Sequence, residues 1–78
     1  NFARAFRKET GLTPAAYVET LRVERARQCL EGTTEPVESV AARCGFGTPE
    51  TMRRAFARRL GVSPAEYRER FRRAPAPL

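Results

Sequence analysis

The side chains with the most chemistry to offer in this sequence are guanidiniums. Of fifteen basic residues among 78, fourteen are Arg and one, Lys8, is Lys; they stand against nine Glu and no Asp, for a net charge of +6. Arginine presents a planar fork of N–H donors that suits phosphate oxygens and the O6 and N7 edge of guanine. A basic balance with pI near 10.6 favours polyanionic partners, but charge alone does not choose among DNA, RNA and membrane surface. The chain has no His and no Trp. A His-type base–nucleophile pair therefore cannot be built, and a metal site would have to come from two Cys and some Glu. No catalysis and no cofactor are expected.

Cys29 and Cys44 stand fifteen apart, which fits neither paired zinc ligands nor a disulfide framework. They read as two small hydrophobes on helices in a reducing cytoplasm. No apolar run approaches the roughly 20 residues of a membrane span, so membrane is not an expected partner.

The basic residues fall into a repeat. Phe2 to Arg22 and Met52 to Arg72 align without gaps at an offset of fifty, with nine of twenty-one positions identical. The identities include Arg4/Arg54, Phe6/Phe56, Gly11/Gly61, Pro14/Pro64 and Tyr17/Tyr67. A duplicated helical hairpin with no shared task would produce this pattern, and so would one binding unit used twice.

Elements that could position these side chains are marked by Gly and Pro. Pro14, Pro36, Pro49 and Pro64 suit first helical positions, and Thr13, Thr48 and Ser63 can cap three of those helices. Gly11, Gly32, Gly45 and Gly61 fall where helices should end in a left-handed residue. The pattern predicts five helices, at 1–10, 14–31, 36–44, 49–60 and 64–72, and no strand. Apolar stripes are expected from Tyr17, Val18, Leu21, Ala26, Cys29 and Leu30, from Val37, Val40, Ala41 and Cys44, and from Met52, Ala55, Phe56 and Leu60. Phe46 closes the core between two helices, and the Pro-rich end, 74–78, reads as a flexible tail.

Residues 36–60 have the proportions of a helix-turn-helix, with Phe46-Gly47 in the turn and an Arg-rich second helix. At 100° per residue, Glu50, Arg54 and Ala57 point away from Met52 and Phe56, flanked by Thr51, Arg53 and Arg58. The repeat places Arg4 in the register of Arg54, with Ala3, Arg7 and Lys8 around it. Arg4 and Arg54 are candidates for base contact, and Arg7, Lys8, Arg53 and Arg58 for phosphate contact. Glu50 and Thr51 suit the first turn of a helix, where they serve the dipole and the cap, and are equally placed to touch base edges. The helix 14–31 would span about 27 Å, of the order needed to hold two reading helices roughly 34 Å, one DNA turn, apart.

These residues resemble the C-terminal DNA-binding domain of AraC/XylS-type bacterial transcription regulators. The resemblance runs from Asn1 to Arg73. It is most specific over Pro36–Gly47 (PVESVAARCGFG), Met52–Phe56 (MRRAF) and Leu60–Arg68 (LGVSPAEYR), while Tyr17–Leu30 is similar to the family's linker helix. The wording around Cys44 and Arg54 is nearest to members carrying a DJ-1/PfpI-type, amidotransferase-like N-terminal domain. The resemblance implies an all-α fold of tandem, homeodomain-like helix-turn-helix units joined by a long linker helix. Residues 1–13 would be the recognition helix of a first, incomplete unit, 14–31 the linker, and 32–73 the second unit with its C-terminal helix. Family base-contact positions fall on Ala3, Arg4, Pro49, Glu50, Thr51 and Arg54.

The same pattern needs roughly another 30 residues before Asn1 for the first unit's first two helices, so the chain reads as an N-terminal truncation. Phe2 and Phe6 are then expected to be exposed, covered by another chain, or repacked. The implied function is sequence-specific binding of double-stranded DNA in the bacterial cytoplasm. RNA polymerase is a further implied partner, and an effector-binding domain is implied upstream. The alternative is an interaction or dimerisation fragment that self-associates through Phe2 and Phe6 and has little DNA affinity by itself.

Overall fold

Helix starts follow the hydroxyls. In the computed structural model, which describes residues 1–73, five α-helices are present: α1 (Phe2–Thr10), α2 (Pro14–Gly32), α3 (Val37–Arg43), α4 (Pro49–Leu60) and α5 (Pro64–Arg73). Thr13 Oγ1 accepts from the Ala16 N–H at 3.1 Å and Thr48 Oγ1 from the Thr51 N–H at 3.2 Å. Ser63 and Glu66 form a reciprocal capping box, each side chain accepting from the other's backbone N–H at 3.1 Å. Glu66 is held below its usual carboxylate range by those Ser63 bonds. There is no strand among the described residues, and the expected tail at 74–78 lies outside them.

Two helix-end residues act differently from expectation. Pro36 is the residue before α3 rather than its first turn: its ψ is 148°, and its carbonyl accepts from the N–H groups of Ser39 and Val40 at 3.0 and 3.1 Å. Gly32 does not end α2 in a left-handed conformation. The helix runs through it and stops at Thr33, whose N–H and hydroxyl both donate to the Cys29 carbonyl at 3.0 and 2.8 Å.

The core is built from residues 23–56. Val23, Ala26 and Leu30 of α2 meet Val40, Ala41 and Cys44 at α3, with Phe46 from the turn and Met52, Ala55 and Phe56 from α4. Phe56 and Met52 are fully buried. The stripe expected on α2 is displaced. Val23 is buried, while Tyr17, Val18 and Leu21 are exposed. At about 100° per residue Leu21 stands some 200° around the helix from Val23 and so faces away from the core. The N-terminal half of α2 is met by α1, whereas α3, α4 and α5 all pack on α2 as well. Leu60, expected in the α4 stripe, is also exposed.

The repeat is visible in side-chain geometry. Phe6 meets Tyr17 edge-on at 5.2 Å between ring centroids, and Phe56 meets Tyr67 edge-on at 6.2 Å. The two units then diverge. Met52 is fully covered, while its counterpart Phe2 is 73% exposed and leans on Phe6 at 5.7 Å. α1 has no buried residue.

Polar contacts fasten α5 to α2. The Arg27 Nε–H donates to Tyr67 Oη at 3.0 Å with its guanidinium 5.5 Å over the ring, and the Tyr67 hydroxyl donates to the Glu31 carboxylate. Burial, aided by Glu31, pushes the Tyr67 phenol above its ordinary value of 10.0. Arg68 donates to the Leu30 carbonyl at 3.2 Å. No buried side-chain nitrogen or oxygen among the described residues lacks a partner.

Candidate nucleic-acid interface

The turn between α3 and α4 is built to aim α4. Cys44 and Phe46 donate their N–H groups back to Val40 and Ala41 at 2.9 and 3.0 Å, and Phe46 drops its ring into the core. Gly45 and Gly47 have φ of 88° and 83°, a region that side-chain-bearing residues rarely adopt. A Cβ at Gly45 would also stand only 3.1 Å from Arg22 Nε, so α2 and the turn are in close contact. Thr48 then caps α4, and burial of Met52, Ala55 and Phe56 fixes which face looks outward.

That outward face carries the residues singled out in the sequence. Thr51, Arg53, Arg54 and Arg58 are exposed and Glu50 is half-buried. Glu50 organises the first turns. Arg54 Nε donates to it at 3.1 Å, and Arg53 forms an ion pair with the other carboxylate oxygen. The Thr51 hydroxyl lies 2.9 Å from the Thr48 hydroxyl, so it belongs to the cap while still facing outward. Helix start and surface chemistry therefore use the same two side chains.

Arg58 lies one turn further on and is drawn toward α2. Its guanidinium meets both Glu19 carboxylate oxygens, at 2.6 and 3.3 Å, and Arg59 Nε donates to Glu19 at 2.9 Å. The Arg58 hydrogen bond holds the Glu19 carboxyl below its usual range, with Arg59 adding to it and burial opposing it. Glu19 reciprocally pushes Arg58 up. Sequence reasoning missed both Glu19 and Arg59; their separation of about forty residues leaves no periodic signal.

The remaining candidates sit on α1. Arg4, Arg7 and Lys8 are all exposed, and Arg7 and Lys8 also lie in the last turn, where cations favour the helix dipole. Asn1 caps this helix by accepting from the Arg4 N–H at 2.9 Å. The two basic sets are thus carried by separate helices that both pack on α2. Among the described residues no group of three or more His, Cys, Asp or Glu is placed to hold a metal. No helix there is long and apolar enough to cross a membrane.

A short helix, a two-glycine turn and a capped helix with an arginine-bearing outer face define an all-α helix-turn-helix protein. Residues 1–70 match the family described as "Helix-turn-helix domain", and the chain belongs to this AraC-type helix-turn-helix family. It is 55% identical over 71 residues to the HTH-type transcriptional regulator Rv1931c of Mycobacterium tuberculosis, covering 91% of this chain and 27% of that protein. It is 36% identical over 70 residues to the HTH-type transcriptional activator RhaR of Yersinia pseudotuberculosis, covering 90% and 24%. The chain therefore spans about a quarter of the length of these curated relatives. Among solved structures it is similar to the DNA-binding domain of AdpA, a global transcriptional factor, crystallised with a target DNA. There the TM-score is 0.86 at 45% identity, over 91% of this chain and 64% of that one.

Proposed function

We propose that this chain is a double-stranded-DNA-binding module of a bacterial transcription regulator, reading sequence with α4 and α1 in successive major grooves. The observation that carries the reading is the outer face of α4, where Glu50, Thr51 and Arg54 are held in register by a cap and an ion pair and backed by a buried Met52–Phe56 face. Similarity to a DNA-binding domain crystallised on its target supports it. In this reading Arg4 and Arg54 contact bases, Thr51 and Glu50 assist, and Arg7, Lys8, Arg53 and Arg58 hold phosphates. With 19 residues, α2 is about 28 Å long, compatible with readers roughly one turn of DNA apart. Residues 1–13, 14–31 and 32–73 then act as reader, connector and second reader. The module has no catalytic step, works in the cytoplasm, and has RNA polymerase as a further partner once on DNA; effector sensing lies outside these 78 residues.

Selection of binding sites from a random duplex pool tests this. A motif with two boxes about one turn, roughly 34 Å, apart is expected. Enrichment of a single box would remove α1 from the readers. Recovery of no motif, with only weak salt-sensitive binding, would overturn the reading. One observation favours a second role: exposed Phe2 lies on α1, which packs on α2, whose Tyr17, Val18 and Leu21 are exposed too. Self-association through this face predicts a sedimentation mass that rises with concentration and falls for Phe2→Ser.

A further inference from the structure

α2 and α3 bring the chain's two cysteines to one place. Cys29, half-buried, projects from α2 on the flank of the core, and Cys44, buried, closes α3 at the first residue of the turn. Both line a solvent-facing cleft of about 270 Å³, with Arg25, Gln28, Thr33 and Arg43 as the other walls. Burial pushes the Cys44 thiol up, and Cys29 beside it adds to the effect through charge and a side-chain hydrogen bond; Arg25 and Arg43 act in the opposite direction. Two thiols on the wall of one cleft, one of them reachable from water, can serve as an attacking and a resolving sulfur. The two guanidiniums in the cleft wall disfavour a bound metal cation. Arg43 is also paired with Glu35 at 3.1 Å.

We propose that Cys29 and Cys44 form a modification site at which hydrogen peroxide oxidises the two thiols to an intramolecular disulfide. The Cys29 thiolate attacks one peroxide oxygen and the O–O bond breaks. The departing hydroxide takes up the Cys29 proton as water, and Cys29 becomes a sulfenic acid. Cys44 Sγ then attacks the Cys29 sulfur and the S–O bond breaks. Hydroxide leaves and takes the Cys44 proton, giving a second water. Two thiols lose two electrons to one peroxide, which is reduced to two waters. Because Cys44 directly precedes the Gly45–Gly47 turn, the new bond ties α2 to the segment that aims α4. Such transient disulfides are compatible with a reducing cytoplasm.

The chemistry is tested without DNA, so its failure is distinguishable from failure of the DNA-binding reading. The reduced, dilute 78-residue chain is treated with stoichiometric hydrogen peroxide, blocked with iodoacetamide and mapped as peptides without reductant. The expected product is a linked pair of peptides carrying Cys29 and Cys44, lighter by two hydrogen atoms and separated again by dithiothreitol. In Cys44→Ala, Cys29 is expected to accumulate as a sulfenic acid trapped by dimedone, whereas in Cys29→Ala the Cys44 thiol stays alkylatable. Should either variant fail to fold, the map of the unaltered chain decides alone. Two thiols that remain alkylatable, links only between chains, or sulfinic acid with no link would each overturn the proposal.

Discussion

Replacing Arg54 with Ala separates base reading from phosphate holding. The side chain is 69% exposed and donates to Glu50. Losing an i,i+4 surface pair costs about 0.3–0.5 kcal/mol, so the fold should stand. If Arg54 reads a guanine as proposed, its two parallel donors contribute about 1–3 kcal/mol on DNA. That converts to about a 5- to 150-fold rise in Kd on the preferred duplex. Fluorescence anisotropy at fixed salt, with the preferred site and each single base-pair substitution, provides the measurement. Arg54→Ala should bind the preferred site and the variant at one base pair nearly equally, while its penalties elsewhere stay as in the parent. Equal weakening on every duplex, with the salt slope reduced by about one, would make Arg54 a phosphate ligand and refute the argument.

Three other outcomes follow from the same contacts. Phe56→Ala removes a fully buried ring and should cost about 3–5 kcal/mol, whereas Phe2→Ala, on its mostly exposed counterpart, should stay within about 0.5 kcal/mol; calorimetric unfolding compares them. Glu19 has a lowered carboxyl, so its stabilising effect is present above the ordinary value of 4.5 and is lost as pH falls through the lowered folded value. Glu19→Gln should therefore flatten the acid limb of the Tm–pH profile, and an unchanged limb would count against the clamp. The raised Tyr67 phenol works in the other direction. Its contribution is complete below pH 10.0, the ordinary value, and disappears as pH rises through the higher folded value, so Tyr67→Phe should cost about 0.5–1.5 kcal/mol at neutral pH and blunt alkaline unfolding.

Local chemistry made much of this architecture legible in the sequence. Thr-Pro and Ser-Pro pairs mark helix starts because hydroxyl and ring act within one turn, and the Phe6/Tyr17 and Phe56/Tyr67 registers survive as matching ring pairs. The outward face of α4 follows from helical period alone. Pro36 and Gly32 mislead because either residue suits more than one position near a helix end. The stripe on α2 was misplaced for a different reason: nineteen residues pass several neighbours, and periodicity does not say which face meets which. The meeting of Cys29 with Cys44 and of Glu19 with Arg58 and Arg59 depends on how α2 crosses α3 and α4. That crossing is set by the packed core and leaves no mark in residue spacing.

The absence of any buried residue in α1 has a consequence for hydrogen exchange. Amides in α4 and in the second half of α2 are shielded by a shared core, so they should exchange only when the whole domain opens. Amides of α1 are held by helical bonds, a cap and the Phe6–Tyr17 contact, and should exchange through local fraying at far lower free energy. If α1 reads DNA as proposed, a helix that frays alone must be ordered by the duplex. Part of its interaction energy is then absorbed as lost conformational entropy. In return, the box proposed for α1 would gain tolerance in spacing and angle relative to the one proposed for α4.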